Sequence, residues 1–231
     1  MTDILAAERH ERTKRLIGEE GLRRLRSARV IVIGVGGVGS YAAEACIRAG
    51  VGHLAFMDGD CVAPSNLNRQ LVALTSTIGR NKAEVMAERA ADIDPKAEIT
   101  ALPRFYRPDD DLDLKQYDWI IDAIDDVEAK TELICRASAL GVNIISAMGA
   151  AGKFCTDFKA ADISKTSVCP LARVMRRRLR DRGIEHLPVV YSEEKPVPRE
   201  DVLGTLSYVP GSAGLTLAGY VIKKIALEED R

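Results

Sequence analysis

Short apolar runs alternate with longer amphipathic segments along most of the chain. Five apolar runs predict strands at 30–33, 53–57, 97–102, 119–123 and 142–147. The segments between most of these runs carry apolar residues at a period of about 3.6, which is typical of helices. This alternation indicates an α/β fold, a doubly wound, Rossmann-like and mainly parallel sheet. Ligands on such sheets bind at the carboxyl ends of the strands, so we expect the site there.

The pattern changes after residue 152. Residues 153–163 indicate extended chain, 170–182 a helix, 187–191 a short strand and 192–200 a polar loop. We expect this last third to form an antiparallel extension of the same sheet, not a separate domain. The expected organisation is a single domain over 1–231, with N-terminal helices at 1–27, an alternating core at 28–150 and a C-terminal extension at 151–231 that contains a basic helix.

An apolar stretch near the C-terminus is long enough to cross a bilayer. Residues 202–222 are 21 residues without a charge, which is about the length of a transmembrane helix. Pro210 and four glycines interrupt this stretch. The interruptions favour a buried strand at 204–209 followed by a helix at 212–227. We therefore predict no membrane partner.

The overall composition excludes several classes of protein. A formal net charge of −1 predicts neither nucleic-acid nor membrane binding from bulk charge. The five cysteines include no C-x-x-C pair, which excludes a zinc site of that kind. Their scattered positions indicate free thiols in a reducing compartment, and the first residues lack the apolar run of a signal peptide. We therefore expect a cytoplasmic protein.

A glycine-rich turn follows the first predicted strand. Residues 28–40 read A-R-V-I-V-I-G-V-G-G-V-G-S, and a helical pattern with small residues begins directly afterwards. Glycine permits tight turns and close approach of a ligand, while a helix N-terminus presents unpaired N–H groups and a positive dipole end. The arrangement predicts a phosphate-binding site for a nucleotide. The candidate binding positions are Gly34, Gly36, Gly37 and Gly39.

Charged residues after the second strand distinguish between two classes of nucleotide. Asp58 ends that strand, 19 residues past Gly39, where a carboxylate can accept hydrogen bonds from both hydroxyls of a ribose. Arg69 and Lys82 could supply two fixed positive charges to a triphosphate, which a pyrophosphate dinucleotide does not need. Arg69 and Lys82 together favour ATP over NAD. The alternative interpretation is that both residues are solvated surface charges.

Two adjacent carboxylates follow the fourth strand. Asp125 and Asp126 suit Mg²⁺, which prefers carboxylate oxygens and nucleotide phosphates. The alternative is that Asp125 caps the next helix.

These motifs as a set resemble those of a known enzyme family. The segments G-V-G-G-V-G-S, D-G-D, N-L-N-R-Q, N-K and D-A-I-D-D are similar to the adenylating core of ubiquitin-activating-type enzymes. That family includes bacterial activators of sulfur-carrier proteins. Its members bind ATP with Mg²⁺ and convert a carboxylate into an acyl adenylate, so the resemblance makes 28–150 the ATP-binding core of an adenylating domain.

The resemblance also implies roles for individual nucleotide-binding residues. By that resemblance Asp58 holds the ribose and Asp125 holds Mg²⁺. Asn68, Arg69 and Lys82 hold the phosphates.

A further residue in this family comes from the N-terminal helix. There an arginine, often donated by the partner subunit, also reaches the phosphates, and Arg12 or Arg15 would fill that role. The resemblance therefore implies a homodimer. The implied catalytic residues are Arg12, Arg15, Arg69, Lys82 and Asp125.

The second half of the chain departs from the sulfur-carrier activators. Those enzymes usually carry paired C-x-x-C zinc ligands near the C-terminus, and this sequence has none. Three segments, S-A-M-G-A, A-D-I-S-K-T-S-V-C-P-L-A-R-V-M-R-R-R-L-R and V-V-Y-S-E-E-K-P, instead resemble the branch of tRNA threonylcarbamoyladenosine dehydratases. That branch uses ATP to activate the threonyl carboxylate of a modified adenosine in tRNA, and a ring then closes with loss of water. The resemblance implies tRNA carrying threonylcarbamoyladenosine as the substrate.

An arginine-rich helix fits a tRNA partner independently of the resemblance. One face of the helix at 170–182 holds Arg173, Arg176, Arg177 and Arg180. The predicted apolar face holds Leu171, Val174, Met175 and Leu179. Amphipathicity does not explain Arg178, which falls into this apolar sector. A stripe of arginines is typical of phosphate binding, and the alternative is a solvated or dimer-facing surface.

Three other functions stay open from the sequence. The first is activation of the C-terminus of a small sulfur-carrier or ubiquitin-like protein, with sulfur-transfer proteins as partners. The second is an NAD-dependent oxidoreductase, and the third is a non-enzymatic ATP-sensing module that binds tRNA.

Cys169 precedes Pro170 at a predicted helix start, where a thiolate would be stabilised. Ring closure needs no thiol nucleophile, so we favour a structural role for Cys169.

Overall fold

A computed structural model of the chain describes residues 8–197 and 203–227, and these residues build one seven-stranded sheet with the order β3-β2-β1-β4-β5-β7-β6. The strands are β1 (Arg29–Ile33), β2 (His53–Met57), β3 (Glu98–Leu102), β4 (Trp119–Asp122), β5 (Asn143–Ala147), β6 (Lys159–Asp162) and β7 (Pro188–Tyr191). All neighbours pair in parallel except β6, which is antiparallel to β7. The predicted fold class is confirmed, including the antiparallel extension at the C-terminal edge.

The helices follow the strands as the amphipathic pattern predicts. They are α1 (Glu11–Ser27), α2 (Gly39–Ala49), α3 (Lys82–Ile93), α4 (Val127–Leu140), α5 (Pro170–Arg180) and α6 (Tyr208–Ala226). Gly18 interrupts α1 with a φ of 75°, a left-handed backbone conformation that glycine adopts without strain. Asn81 caps α3 by accepting hydrogen bonds from the N–H groups of Ala83 and Glu84.

The core consists of two apolar layers, one on each face of the sheet. Side chains alternate along β1, so that Val30 and Val32 face one layer while Ile31 and Ile33 face the other. The first layer is covered by α1, α2, α3 and α6, and the second by α4 and α5. Helices on both faces explain why β1 is continuously apolar from Val30 to Ile33 rather than alternating.

The region before α6 corrects one prediction. Residues 204–209 do not form a strand, because α6 begins at Tyr208 and includes Pro210 in its first turn. A proline is tolerated there, since the first N–H groups of a helix have no intrahelical partner. A Cβ on Gly214 would lie 2.2 Å from the carbonyl oxygen of Val38. The small residue therefore lets α6 pack closely on the start of α2.

Two other predicted segments keep their type in the structure but have different bounds. Only Lys159–Asp162 of the extended segment at 153–163 forms a strand, and α5 ends at Arg180 instead of 182. The predicted polar loop is irregular over 192–197, and its positions 198–200 lie outside the described residues. No helix in the described parts of the chain has the length and apolar character needed to cross a membrane.

Candidate nucleotide site and basic helix

A cavity of about 700 Å³ lies at the carboxyl ends of β1, β2 and β4. Its wall combines the glycine turn after β1, the end of β2, the β4–α4 turn and the start of α6. The predicted site residues in this wall are Gly34, Gly36, Gly37, Asp58, Arg69, Lys82 and Asp125. Positions from five separate stretches of sequence thus converge on the expected edge of the sheet.

The four glycines of the turn have different surroundings. Gly34 has a φ of +89°, and a Cβ there would lie 2.6 Å from the carbonyl oxygen of Ala123. A Cβ on Gly39 would lie only 1.8 Å from the carbonyl oxygen of Gly34. Gly36 and Gly37 line the cavity, whereas Gly39 is outside its wall. Gly39 is therefore required for the close packing of the turn on the start of α2.

Asp58 is held rigidly at the base of the cavity. Its Oδ2 accepts a hydrogen bond of 2.7 Å from the N–H of Val35, and its Oδ1 accepts one of 2.8 Å from the N–H of Asp60. Burial raises the pKa of Asp58, and the two backbone hydrogen bonds oppose this effect. A carboxylate fixed in this way keeps free lone pairs for hydroxyl donors, as a ribose site requires.

Lys82 enters the cavity from the first position of α3. Its Nζ donates to Oδ2 of Asp60 at 2.7 Å, and its backbone N–H donates to the carbonyl oxygen of Asp60 at 2.9 Å. The side chain of Asn81 donates to the carbonyl oxygens of Asp58 and Asp60. The end of β2 is thereby tied to the start of α3. Asp60 was not predicted as a site residue, although the D-G-D motif contains it.

Arg69 is positioned by the segment around it. Its NH1 group donates to the carbonyl oxygen of Ser65 at 2.7 Å and to Oδ1 of Asn68 at 3.0 Å. Asn68 in turn donates to the carbonyl oxygen of Thr205 at 3.0 Å. Asn68, which lies outside the cavity wall, therefore orients Arg69 and ties it to the segment before α6.

Gln70 is a second residue that the sequence interpretation missed. It lines the cavity beside Arg69, and its Oε1 is buried without a hydrogen-bond partner among the described residues. Buried polar atoms are normally paired, so this oxygen departs from the usual pattern at a position beside the candidate site. The signal was present in N-L-N-R-Q, where Gln70 follows the arginine directly.

The two carboxylates after β4 have distinct roles. Asp126 is the N-cap of α4 and accepts a hydrogen bond of 2.7 Å from the N–H of Ala129. The alternative that Asp125 caps the helix is therefore wrong, and Asp125 is exposed in the cavity wall. Within 8–197 and 203–227, no group of three or more acidic, histidine or cysteine side chains could hold a metal alone. Asp125 fits a Mg²⁺ ion that takes most of its ligands from phosphate and water.

Arg12 and Arg15 do not line the cavity of their own chain. Both are exposed on α1, and Arg15 pairs with Glu11 at 3.0 Å. The start of α1 is tied to the far end of α3, because Nε2 of His10 lies 3.1 Å from Oδ2 of Asp94. Since α3 has 12 residues, its far end lies about 18 Å from its cavity end.

The basic face of α5 lines a separate groove of about 810 Å³. All four predicted arginines, Arg173, Arg176, Arg177 and Arg180, border it. Arg176 donates to the carbonyl oxygen of Thr166 at 2.8 Å, whereas the other three are exposed. The groove therefore presents three exposed guanidinium groups and one that is anchored.

The apolar face of α5 differs from the prediction. The residues buried in it are Ala172, Met175 and Leu179, whereas Val174 is 42% exposed. Placing Val174 in the apolar face was wrong, because the buried sector is centred about one residue further round the helix. This shift also explains Arg178, which is exposed at the flank of the helix.

Comparison with known proteins decides the family. The sequence profile of the ThiF family matches residues 8–231. The chain belongs to the ThiF family. It is 41% identical over 233 residues to the tRNA threonylcarbamoyladenosine dehydratase of Bacillus subtilis, covering 91% of this chain and 92% of that protein.

Solved structures support the same branch of the ThiF family. E. coli tRNA N6-threonylcarbamoyladenosine dehydratase, TcdA, in complex with AMP has a TM-score of 0.89 and 35% identity, covering 96% of this chain and 95% of that chain. TcdA in complex with ATP gives the same TM-score at 34% identity and the same coverage. The sulfur carrier protein adenylyltransferase of Thermus thermophilus is 32% identical over 130 residues, covering 56% of this chain and 48% of that protein. Similarity to the dehydratases therefore spans nearly the whole chain.

Proposed function

We propose that this ThiF-family chain is an ATP-dependent adenylating enzyme that cyclises threonylcarbamoyladenosine in tRNA with loss of water. The observation that carries the proposal is the convergence of the glycine turn, Asp58, Arg69, Lys82 and Asp125 around one cavity. The dehydratases of B. subtilis and E. coli, which match over nearly the whole chain, support the choice of substrate.

The cavity residues divide the recognition of ATP between them. Backbone N–H groups at Gly36 and Gly37 and the N-terminal end of α2 face the phosphates. Asp58 accepts hydrogen bonds from the ribose hydroxyls, and Arg69 and Lys82 supply positive charge to the phosphates. Because Lys82 is paired with Asp60 at 2.7 Å, an entering phosphate competes with Asp60 for its ammonium group.

Asp125 is the residue proposed to hold Mg²⁺. Its exposed carboxylate lies in the cavity wall, while the adjacent Asp126 is engaged as a helix cap. When bound, the ion would neutralise part of the phosphate charge.

The proposed reaction has two steps. The threonyl carboxylate attacks the α-phosphorus of ATP, the bond to the β-phosphate oxygen breaks, and pyrophosphate leaves. The ureido nitrogen of the same substrate then attacks the activated carbonyl carbon, loses its proton and displaces AMP. Arg69 and Lys82 stabilise the negative charge that develops in the first step, because their positions are fixed before reaction.

Substrate binding and assembly complete the proposal. The exposed arginines of α5 would contact tRNA phosphates, since guanidinium groups suit phosphate oxygens. Arg12 or Arg15 would enter the cavity of a neighbouring subunit, because both are remote from the cavity of their own chain. The active species is therefore proposed to be a homodimer. We place it in the cytoplasm, where tRNA and ATP are both present.

The test is incubation of the protein with ATP, Mg²⁺ and tRNA carrying threonylcarbamoyladenosine. We expect release of AMP and pyrophosphate, and nucleoside mass spectrometry should show the loss of one water from the modified adenosine. A reaction without Mg²⁺ and one with NAD in place of ATP are the controls. Adenylation of a carrier-protein tail without change in the tRNA would instead favour the sulfur-carrier function, with sulfur-transfer proteins as partners.

A further inference from the structure

A buried ion pair lies directly beneath the cavity. Asp122 at the end of β4 and Lys130 on α4 are both fully buried, and Nζ of Lys130 donates to Oδ2 of Asp122 at 2.8 Å. Nζ also donates to Oγ of Ser146 at 3.1 Å, and this hydroxyl donates to the same carboxylate oxygen. Ser146 on β5 is the register partner of Asp122. Removing two charges from water is costly, so stability alone is a weak reason for such a pair.

The other oxygen of Asp122 shapes the turn that carries Asp125. Oδ1 accepts a hydrogen bond of 3.1 Å from the N–H of Ile124. The turn between them is closely packed, because a Cβ on Gly34 would lie 2.6 Å from the carbonyl oxygen of Ala123. Oδ2 is thus anchored by Lys130 and Ser146, while Oδ1 fixes the backbone immediately before Asp125.

Lys130 also contacts the residue at the end of the β4–α4 turn. Its backbone N–H donates to the carbonyl oxygen of Asp126 at 3.0 Å, and Asp126 caps the same helix. Asp122 and α4 therefore hold both ends of the segment 123–126. Asp125 itself is exposed within this fixed segment.

We propose that Asp122, Lys130 and Ser146 form a positioning network that holds the β4–α4 turn so that Asp125 presents its carboxylate to a divalent cation on a nucleoside triphosphate. This inference rests on the function proposed above, and specifically on Asp125 as the metal ligand. The competing view is that the network only stabilises the core. The two views differ for a folded variant that lacks Oδ1 of Asp122 and leaves no buried charge unpaired. A positioning network predicts a smaller gain in ATP affinity from Mg²⁺ in that variant, whereas a purely structural network predicts an unchanged gain.

Two double variants separate the effect of the hydrogen bond from that of the buried charges. Asp122→Asn with Lys130→Met removes both charges but keeps a side-chain oxygen for the N–H of Ile124. Asp122→Leu with Lys130→Met removes both charges and that oxygen, at similar side-chain shape. Both avoid an unpaired buried charge, which would unfold the protein for an uninformative reason.

The measurement is ATP affinity by calorimetry, with Mg²⁺ and with a chelator, after thermal unfolding has shown each variant to be folded. We expect Asp122→Asn/Lys130→Met to keep the Mg²⁺-dependent gain in ATP affinity. Asp122→Leu/Lys130→Met should lose about tenfold of that gain, as is typical when the residues supporting a metal ligand are removed. Affinity in the chelator should stay that of the parent, since the other nucleotide contacts are untouched.

Asp125→Asn is the reference variant, because it removes the proposed metal ligand and should abolish the Mg²⁺-dependent gain in ATP affinity. If it abolishes the gain but both double variants keep it, the network is a core element and the inference is overturned. If Asp125→Asn keeps the gain, the metal assignment of the proposed function fails and this inference fails with it.

Ser146→Ala keeps the test decisive if the leucine variant does not fold. It removes one of the two hydrogen bonds on Oδ2 of Asp122, and we expect a reduction of the Mg²⁺-dependent gain of about threefold, the typical effect of losing one hydrogen bond. An unchanged gain in this folded variant would overturn the inference.

Discussion

His10 links the N-terminal segment to the core through Asp94. Oδ2 of Asp94 is 3.1 Å from Nε2 of His10, and the same carboxylate pairs with Arg9 at 3.0 Å and Arg26 at 2.6 Å. Nδ1 of His10 is buried without a hydrogen-bond partner among the described residues. Burial is the main cause that lowers the pKa of His10 below its ordinary value of 6.5, with the nearby arginines acting in the same direction and Asp94 opposing them.

This environment predicts acid sensitivity of the fold. A lowered folded-state pKa means that the unfolded chain binds the proton of His10 more tightly, so stability is fully present above 6.5 and is lost as the pH falls through the folded-state pKa. We expect the Tm of the parent to fall between about pH 8 and about pH 5.5 more steeply than that of His10→Gln. Scanning calorimetry of both proteins checks this. His53→Gln is the matched control, and equal slopes for parent and His10→Gln would contradict the prediction.

Individual site residues were predictable where a motif surrounds them. Asp58, Arg69 and Lys82 lie at distinctive spacings after the glycine turn, and the structure brings them to one cavity. Asp60 and Gln70 lie within two residues of predicted site residues, yet their importance depends on which side chains point into the cavity. The Asp122–Lys130 pair could not be predicted, because a lysine on a helix usually lies in solvent and its burial depends on how α4 packs against β4.

At the scale of elements, α5 combines a buried stripe with an exposed basic face. Its N-terminus is packed into the core through Ala172 and Met175. The exposed arginines, Arg173, Arg177 and Arg180, border the groove, while Arg178 lies outside its wall. The three groove arginines can therefore be tested by substitution, with Arg178 on the same helix as the control position.

Replacing Arg173, Arg177 and Arg180 with alanine should weaken tRNA binding and leave ATP binding unchanged. Each lost phosphate contact should reduce the slope of log affinity against log salt by about 0.7 to 0.9. Binding assays at several salt concentrations measure this slope. Arg178→Ala should behave like the parent, and a triple variant that keeps the full slope would show that tRNA docks elsewhere.

Element prediction succeeded where hydrophobic periodicity was unambiguous. The five strands predicted for the parallel core agree with the structure within one residue at each end, because apolar runs of four to six residues are too short for typical helices. The region before α6 was misassigned, since its apolar residues and glycines fit a strand as well as a buried helix. The helix packs closely on the start of α2, for example at Gly214 against Val38, and such contacts join distant parts of the sequence.

At the scale of the whole molecule, the cavity and the start of the N-terminal helix lie at opposite ends of α3. The cavity lies at the carboxyl ends of the strands, whereas His10 at the start of α1 is tied to Asp94 beyond the opposite end of α3. Arg12 lies two residues after His10. With α1 in this position, we therefore expect the arginine that contacts phosphates in the cavity to come from a second chain.

Mixing inactive variants tests for such a shared site. One variant carries Arg12→Ala and Arg15→Ala, and the other carries Lys82→Ala. In a mixed two-fold dimer, one cavity would combine an intact Lys82 with the intact arginines of the other subunit, whereas the second cavity would lack both. Since half of randomly exchanged dimers are mixed, we expect about a quarter of the parent's adenylation rate.

The control mixture pairs the arginine variant with a subunit that carries all three substitutions, and it should stay inactive. Differently tagged subunits establish that exchange has occurred. An arginine that acted within its own chain would leave every cavity defective in both mixtures. An inactive first mixture, with exchange demonstrated, would therefore place the complete site in one chain, and α1 would then have to move away from Asp94 to deliver its arginine.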